Sequence, residues 1–357
     1  MSIINQVLTQ LEARPLPSVS IVAPCYNEQE VLEAFCERAS ASARAAVGDD
    51  YEIVLVDDGS KDATWSIMER LSREDAHIVG VRLLRNHGHQ LAATAGLAVS
   101  RGRRVMLIDA DLQDPPELLS EMMRLMDQGA HVVYGQRLQR EGESAFKKLT
   151  AHAFYRLLTR LSAVSIPEDT GDFRLMDRRI VDALLMMPER QRFIRGMVSW
   201  VGGRQVALAY NRDARFAGVS KYPLSKMLKF ATDAITSFST VPLRLSIWLG
   251  VGAAVLAFLM LVYTLVQWYL GDTIQGWSSL MTALTFFAAV QLIVMGVIGE
   301  YIGRLMNETK GRPLFLIDSV IQADQTTAPP SDFYRYGFDD RLACLAPPAT
   351  ASLSASR

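Results

Sequence analysis

Up to Tyr210, apolar residues gather into short blocks, each closed by a polar or turn-forming cluster. Blocks too short for a helix and bounded by Gly, Pro, Asn or Asp read as strands. Residues 18–26 form the first, which Pro24 is expected to end. Tyr51–Val56 is the second, Ile78–Leu84 a weaker third, Val105–Ile108 the fourth and Ala130–Tyr134 the fifth, with Val206–Tyr210 further on. Between them lie stretches with helical character. Asn27-Glu28-Gln29-Glu30 opens one, with acidic residues in the first turn, where the helix dipole favours them. Leu91–Val99 is an Ala-rich helix led in by Asn86-His87-Gly88-His89-Gln90, and Pro116–Met126 is another. Residues 177–187 look helical, residues 169–174 read as a loop, and the region of Gly196, Gly202 and Gly203 as irregular. Strands alternating with helices imply an α/β fold, a mostly parallel sheet flanked by helices on both faces.

The later chain has a different pattern. Residues 146–161 and 222–239 place apolar side chains at helical spacing, with lysines and arginines on the remainder. Basic amphipathic helices suit a membrane interface, although the first would serve equally well packed on the sheet. Leu245–Val266 then runs without a charge, and Leu280–Ile298 is a second such run whose one strongly polar side chain is Gln291. Both have the length of a bilayer span. Trp268, Tyr269 and Trp277 flank the connection as interfacial aromatics do, and residues 271–276 carry no Lys or Arg. Arg244 precedes the pair and Arg304, Lys310 and Arg312 follow it, so both ends are expected on the cytoplasmic side. Glu300 and Arg304 are spaced to pair along the helix. Residues 313–320 read as a short return strand, and beyond Gln322 the Ala/Pro/Ser/Thr-rich composition reads as disordered.

Candidate chemistry sits at the strand ends. The fourth strand runs straight into Asp109, and Asp111 follows two positions later. In an open α/β sheet the carboxyl ends of the strands line the ligand crevice. Two crowded carboxylates repel unless something positive lies between them, and hard oxygen ligands suit Mg²⁺ or Mn²⁺. D-x-D alone is a common string. Asn27/Glu28 and Asp57/Asp58 close two more strands at the same edge, however, and solvation gives three acidic clusters no reason to converge. A nucleotide-diphosphate site with a divalent metal is the better reading. Arg212, Arg215, Ser220 and Lys221 gather around Gly218 in a loop fit to grip phosphate. No G-x-G-x-x-G or G-x-x-x-x-G-K-[ST] occurs, which removes dinucleotide and P-loop readings. His87 and His89 read as turn and cap residues near the nucleotide rather than an H-x-H metal pair, and Cys25 as a small core residue.

Bulk properties narrow the class further. Half of the 357 residues are apolar and the mean hydropathy is +0.13, which directs attention to the membrane. A net charge of −1 gives no argument for nucleic acid. Three cysteines at no metal-ligand spacing fit a reducing compartment, and residues 1–16 show no secretory signal.

These residues together resemble the family 2 glycosyltransferases that load a sugar onto a polyisoprenyl phosphate, such as dolichyl-phosphate mannose synthases and bactoprenol glucosyltransferases. The matching strings are Val22-Ala23-Pro24-Cys25-Tyr26-Asn27-Glu28, Val56-Asp57-Asp58-Gly59-Ser60, Asp109-Ala110-Asp111-Leu112-Gln113-Asp114-Pro115-Pro116-Glu117 and Asp169-Thr170-Gly171-Asp172-Phe173-Arg174. Arg192-Phe193-Ile194-Arg195-Gly196, Gly218-Val219-Ser220-Lys221-Tyr222 and Gly299-Glu300-Tyr301-Ile302-Gly303-Arg304 continue the match, which spans about Ser18 to Ile317. Cys25 stands where the family more often has a β-branched or apolar residue.

The resemblance implies a GT-A type fold with interfacial amphipathic helices and a two-helix transmembrane anchor. It divides the chain into an N-terminal extension (1–17), a cytoplasmic catalytic domain (18–221), a juxtamembrane helix (222–242), the hairpin (243–303), a cytoplasmic return segment (304–321) and a disordered tail (322–357). It implies that Pro24, Tyr26, Asn27, Glu28, Asp57 and Asp58 hold the base and ribose, and that Asp109, Asp111 and Gln113 surround Mg²⁺ or Mn²⁺ on the diphosphate. Arg215, Ser220 and Lys221 would close over the diphosphate, Arg137 would meet the acceptor phosphate, and Asp172 would face the transferred sugar. The implied reaction is inverting transfer of a hexose, UDP-glucose being the favoured donor, to undecaprenyl phosphate at the bacterial inner membrane. A homo-oligomer formed through the hairpin stays open. A processive polysaccharide synthase fits less well, because the chain has no Q-x-x-R-W string and only two spans. A non-catalytic membrane subunit fits less well too, given Asp109 and Asp111.

Overall fold

A computed structural model describes residues 16–138, 170–211, 241–270, 276–323 and 325–327. These fall into two compact units, one built on a sheet and one helical. In the first unit the order is β1 (Val19–Cys25), α1 (Leu32–Val47), β2 (Tyr51–Asp57), α2 (Thr64–Glu74), β3 (Ile78–Leu83), α3 (His89–Val99) and β4 (Arg104–Leu107). A 3-10 turn (Pro116–Leu118) leads into α4 (Leu119–Asp127), then β5 (Val132–Arg137). After it come β6 (Thr170–Asp177), α5 (Arg178–Met186), α6 (Ile194–Val201) and β7 (Gln205–Tyr210).

The sheet-based unit places its strands in the order β7-β5-β6-β4-β1-β2-β3-β8-β9, the last two being Ile317–Gln322 and Gln325–Thr327. β4, β1, β2 and β3 run parallel at the centre. Both faces of β1 and β2 are buried, which is why they read as continuous apolar runs rather than alternating ones. On one face Ile21 and Ala23 pack with Leu32, Phe35 and Ala39 of α1. On the other, α3 comes so close that a Cβ on Gly96 would lie 2.4 Å from Val22 Cγ1 and 2.9 Å from Val56 Cγ2. This is the expected α/β architecture, and it brings the carboxyl ends of β1, β2 and β4 to one edge.

Five local expectations are corrected. β1 continues through Pro24, because β4 stops pairing at Val22 and the missing amide falls where the ladder has a partner on one side only. No helix starts at Asn27. That residue takes a left-handed φ of 56°, and α1 begins at Leu32. Its side chain engages a neighbouring loop instead, as short polar side chains do in competition with helix. Most of the stretch read as a loop at 169–174 is β6, antiparallel between β4 and β5 with Phe173 and Leu175 buried. The region around Gly196 is α6, whose inner face of Ile194, Met197 and Val198 outweighs the cost of a helical glycine. Finally, the segment assigned to the tail contributes β9, which turns back at Ala323 to pair with β8. β8 itself lies antiparallel on β3, so the return segment is part of the sheet.

The second unit's described residues form α7 (Val241–Leu270) and α8 (Trp277–Thr309). Ser246–Gln267 and Ala283–Thr309 are long and apolar enough to cross a bilayer, with mean hydropathies of 2.4 and 1.9 and their apolar windows left exposed among the described residues. Phe258, Leu261, Leu292 and Met295 are exposed, an apolar surface that water disfavours. Glu300 and Arg304 pair as their spacing predicts, at 2.9 Å. The amphipathic stretches 146–161 and 222–239 lie outside the described residues.

Candidate functional site

Each acidic cluster follows or ends a parallel strand, but the clusters are not used alike. At the end of β2, Asp57 is fully buried, and its Oδ1 accepts the Ser60 amide at 2.9 Å. Asp58 commits both oxygens to backbone, accepting the His87 amide at 2.6 Å and the Gly88 amide at 2.9 Å. It therefore fixes the β3–α3 loop. Gly59 has a φ of +67°, and a Cβ there would come within 2.7 Å of the Asn86 nitrogen, so this turn needs glycine to lie against that loop. After β1, the Asn27 amide donates to Ser60 Oγ at 3.0 Å, Asn27 Oδ1 accepts from the Lys61 amide at 2.9 Å, and the Glu28 amide donates to Thr64 Oγ1. Pro24 is buried in β1 and Tyr26 is exposed just beyond it. The β1 and β2 loops are thus laced into one rim.

Beyond β4, Asp109 meets groups from two other elements. His89, the first residue of α3, sits with Nε2 3.3 Å from Asp109 Oδ1 and 3.4 Å from Asp172 Oδ2. Asp172, on β6, also accepts from Gln90 Nε2 at 2.7 Å and lies 3.4 Å from Arg195 of α6. Gln90 accepts the Ile194 amide at 2.9 Å, tying α3 to the start of α6. Burial raises the Asp109 carboxyl to about 6. His89 opposes that rise, while Asp172, Asp114 and Asp111 add to it. Burial alone would lower the His89 imidazole, but the Asp172 hydrogen bond and the neighbouring carboxylates push it up to about 9. Asp172 goes the other way: despite burial, His89 and Arg195 hold its carboxyl well below the usual range.

A second knot lies beside the first. Buried Asp114 accepts from the Tyr210 hydroxyl at 2.5 Å and lies 3.7 Å from Arg137 Nη2. Burial and Asp114 push the Tyr210 phenol above its ordinary value, so it stays a donor. The Gln113 amide donates to Asp111 Oδ1 at 3.2 Å, with Leu112 at a φ of 57°, so the loop after Asp109 is tightly wound. Arg215, Ser220 and Lys221 lie outside the described residues.

Whether a divalent cation fits can be tested on Asp109. Its Oδ1 is buried without a hydrogen-bond partner, since His89 Nε2 is close but not aligned. An orphaned carboxylate oxygen ringed by further carboxylates is a place for positive charge. Among the described residues, no three His, Cys, Asp or Glu groups converge to cage an ion.

The resemblance assigned Asp109 and Asp111 to the metal and Asp172 to the sugar, and the structure brings Asp109 and Asp172 together around His89. Neither that role of His89 nor the supporting contacts of Gln90, Asp114, Arg195 and Tyr210 were read from the sequence. Asp114 and Arg195 stand inside quoted strings. Tyr210 carries no motif, and only its position at a strand end marked it.

The model of glycosyl transferase family 2 matches residues 20–185, and that of the GtrB C-terminal hairpin matches residues 241–305. The chain is 45% identical to an uncharacterized glycosyltransferase of Bacillus subtilis, over 84% of this chain and 92% of that protein. It is 39% identical to the bactoprenol glucosyl transferase of Shigella phage SfX, over 84% of this chain and 99% of that protein. A crystal structure of mannosyl-3-phosphoglycerate synthase from Rubrobacter xylanophilus shares 19% identity over 65% of this chain and 74% of that one, with a TM-score of 0.44. That likeness is too loose to add to the sequence matches.

Proposed function

The chain belongs to the family 2 glycosyltransferases and carries the GtrB C-terminal hairpin, and from that premise we propose that it moves a hexose from a nucleotide diphosphate to a polyprenyl phosphate. Glucose from UDP-glucose is the first choice, since the relative from phage SfX is named for glucosylating bactoprenol and matches over nearly its whole length. The observation that carries the reading is the buried Asp109 oxygen that accepts no hydrogen bond, held among further carboxylates just beyond β4. A divalent cation carried with the donor diphosphate would complete it.

The acceptor is a phosphate monoester. With a second pKa of about 6 it is already largely ionised at neutral pH, so no side chain has to take a proton. His89 suits that scheme, because its imidazole, pushed up to about 9 by the surrounding carboxylates, already carries a proton and offers the acceptor no base. The acceptor oxygen attacks the anomeric carbon opposite the diphosphate, whose bond to that carbon breaks, and the configuration inverts. The obstacle is charge: two anions must meet, and the donor's diphosphate must leave with more negative charge than it carried. Asp109 and Asp111, with Gln113 alongside, would hold a divalent cation, which would supply Lewis-acid stabilisation to the leaving diphosphate. Arg215, Ser220 and Lys221 grip the same diphosphate, and Arg137 orients the acceptor phosphate. Asp172, fixed by Gln90 and Arg195, faces the sugar. Asp57 takes part in nucleotide binding directly, and Asp58 through the loop it pins. The apolar hairpin explains the lipid, since a polyprenyl chain stays in the bilayer and the site must be brought to it.

Radiolabelled UDP-glucose, supplied with undecaprenyl phosphate to the purified full chain, tests this. A single organic-extractable glycolipid is expected. A growing polymer would assign a processive synthase, and no product with any of several nucleotide sugars would leave a non-catalytic subunit.

A further inference from the structure

The Asp114–Tyr210 pair is buried, polar and used by no step above. The parallel register of β5 and β7 sets Arg137 directly beside Tyr210, and the next amide, of Leu138, donates to the Tyr210 carbonyl at 3.0 Å. Arg137 Nε in turn donates to the Tyr210 hydroxyl at 3.3 Å, and Tyr210 donates to Asp114 at 2.5 Å. Asp114 stands three positions after Asp111 in the same loop. One hydroxyl therefore links the guanidinium at the end of β5 to the loop that carries the metal carboxylates.

Two glycines make room for this arrangement. A Cβ on Gly135 would lie 2.7 Å from Tyr210 Cε1 and 2.5 Å from Phe173 Cδ1, so the bare backbone lets the tyrosine ring lie across β5, edge-on to Phe173 at 5.5 Å. A Cβ on Gly171 would lie 2.7 Å from Arg137 Nη2. The arginine head thus rests against backbone on one side and Asp114 on the other. An arginine on a long flexible stem gains precision when its fork is fixed before the ligand arrives.

We propose that Tyr210 and Asp114 are positioning residues that fix the Arg137 guanidinium for the acceptor phosphate and hold it in register with the Asp109–Asp111 loop. This rests on the reading of Arg137 as the acceptor's partner. A lost charged hydrogen bond at such a site costs on the order of tenfold in affinity.

The test compares Tyr210→Phe, Arg137→Ala and the double variant in the full chain, with undecaprenyl phosphate and UDP-glucose each varied and UDP binding measured separately. Tyr210→Phe keeps the ring packing and removes only the hydroxyl. It should raise the KM for undecaprenyl phosphate about tenfold while UDP affinity moves less than about twofold, and the double variant should be no worse than Arg137→Ala alone. Asp114→Asn, which keeps an acceptor oxygen but loses the charge, should shift the same KM and serves if Tyr210→Phe does not fold. If Arg137→Ala raises the acceptor KM and neither Tyr210→Phe nor Asp114→Asn does, the positioning role is overturned and the acceptor reading stands. Equal losses for donor and acceptor would mark a purely structural role and also overturn it. If Arg137→Ala leaves the acceptor KM unchanged, the acceptor reading fails and the inference falls with it.

Discussion

Asp58 and Asp172 show how poorly residue type alone predicts employment. Both are buried carboxylates, yet Asp58 holds two backbone amides and Asp172 collects His89, Gln90 and Arg195. His89 gives the clearest consequence. A group whose folded pKa is raised adds stability that is fully present below its unfolded value and is lost as pH climbs through the folded one. For His89 that window runs from about 6.5 to about 9. Thermal melts in EDTA should therefore fall across that range in the native chain, and His89→Gln should flatten the fall. A slope unchanged by the substitution would remove His89 from the cluster's charge balance.

The elements were legible where burial is two-sided. β1 and β2 are apolar runs because helices cover both faces, and such runs stand out in a sequence. β6 was missed because it opens on Thr170-Gly171-Asp172 and carries Arg174, polar groups that its antiparallel neighbours and buried partners satisfy only after folding. The meeting of His89 with Asp172 was hidden for a related reason: long separation in the chain leaves no spacing to read. β8 was anticipated as a return strand, but β9 was hidden by composition, since a strand of Gln and Thr looks like a tail until β8 supplies its edge. If β8 belongs to the catalytic sheet, Ile321→Ala, at a position 1% exposed, should cost about 2–5 kcal/mol in denaturant unfolding. A loss under half a kcal/mol would make β8 a loose appendage.

At the scale of the whole molecule, the sheet-based unit would hold the chemistry and the apolar pair would bring it to the lipid. From the charge around α7 and α8 we propose that both ends lie on the cytoplasmic side, with residues 271–276 outside. In intact cells Gln275→Cys should react with a membrane-impermeant maleimide, and Cys344 only after permeabilisation; the reverse pattern would turn the site away from cytoplasmic nucleotide sugars. Within that unit we propose that the carboxylates of Asp109 and Asp111 hold a divalent cation together with the donor diphosphate. Mn²⁺ binding to the purified full chain, followed by electron paramagnetic resonance with and without UDP-glucose, measures it directly. Tight binding that needs UDP-glucose, disappears in a folded Asp111→Ala variant and accompanies loss of transfer in EDTA is the predicted result; equal Mn²⁺ binding by that variant, or full turnover in excess EDTA, would contradict it.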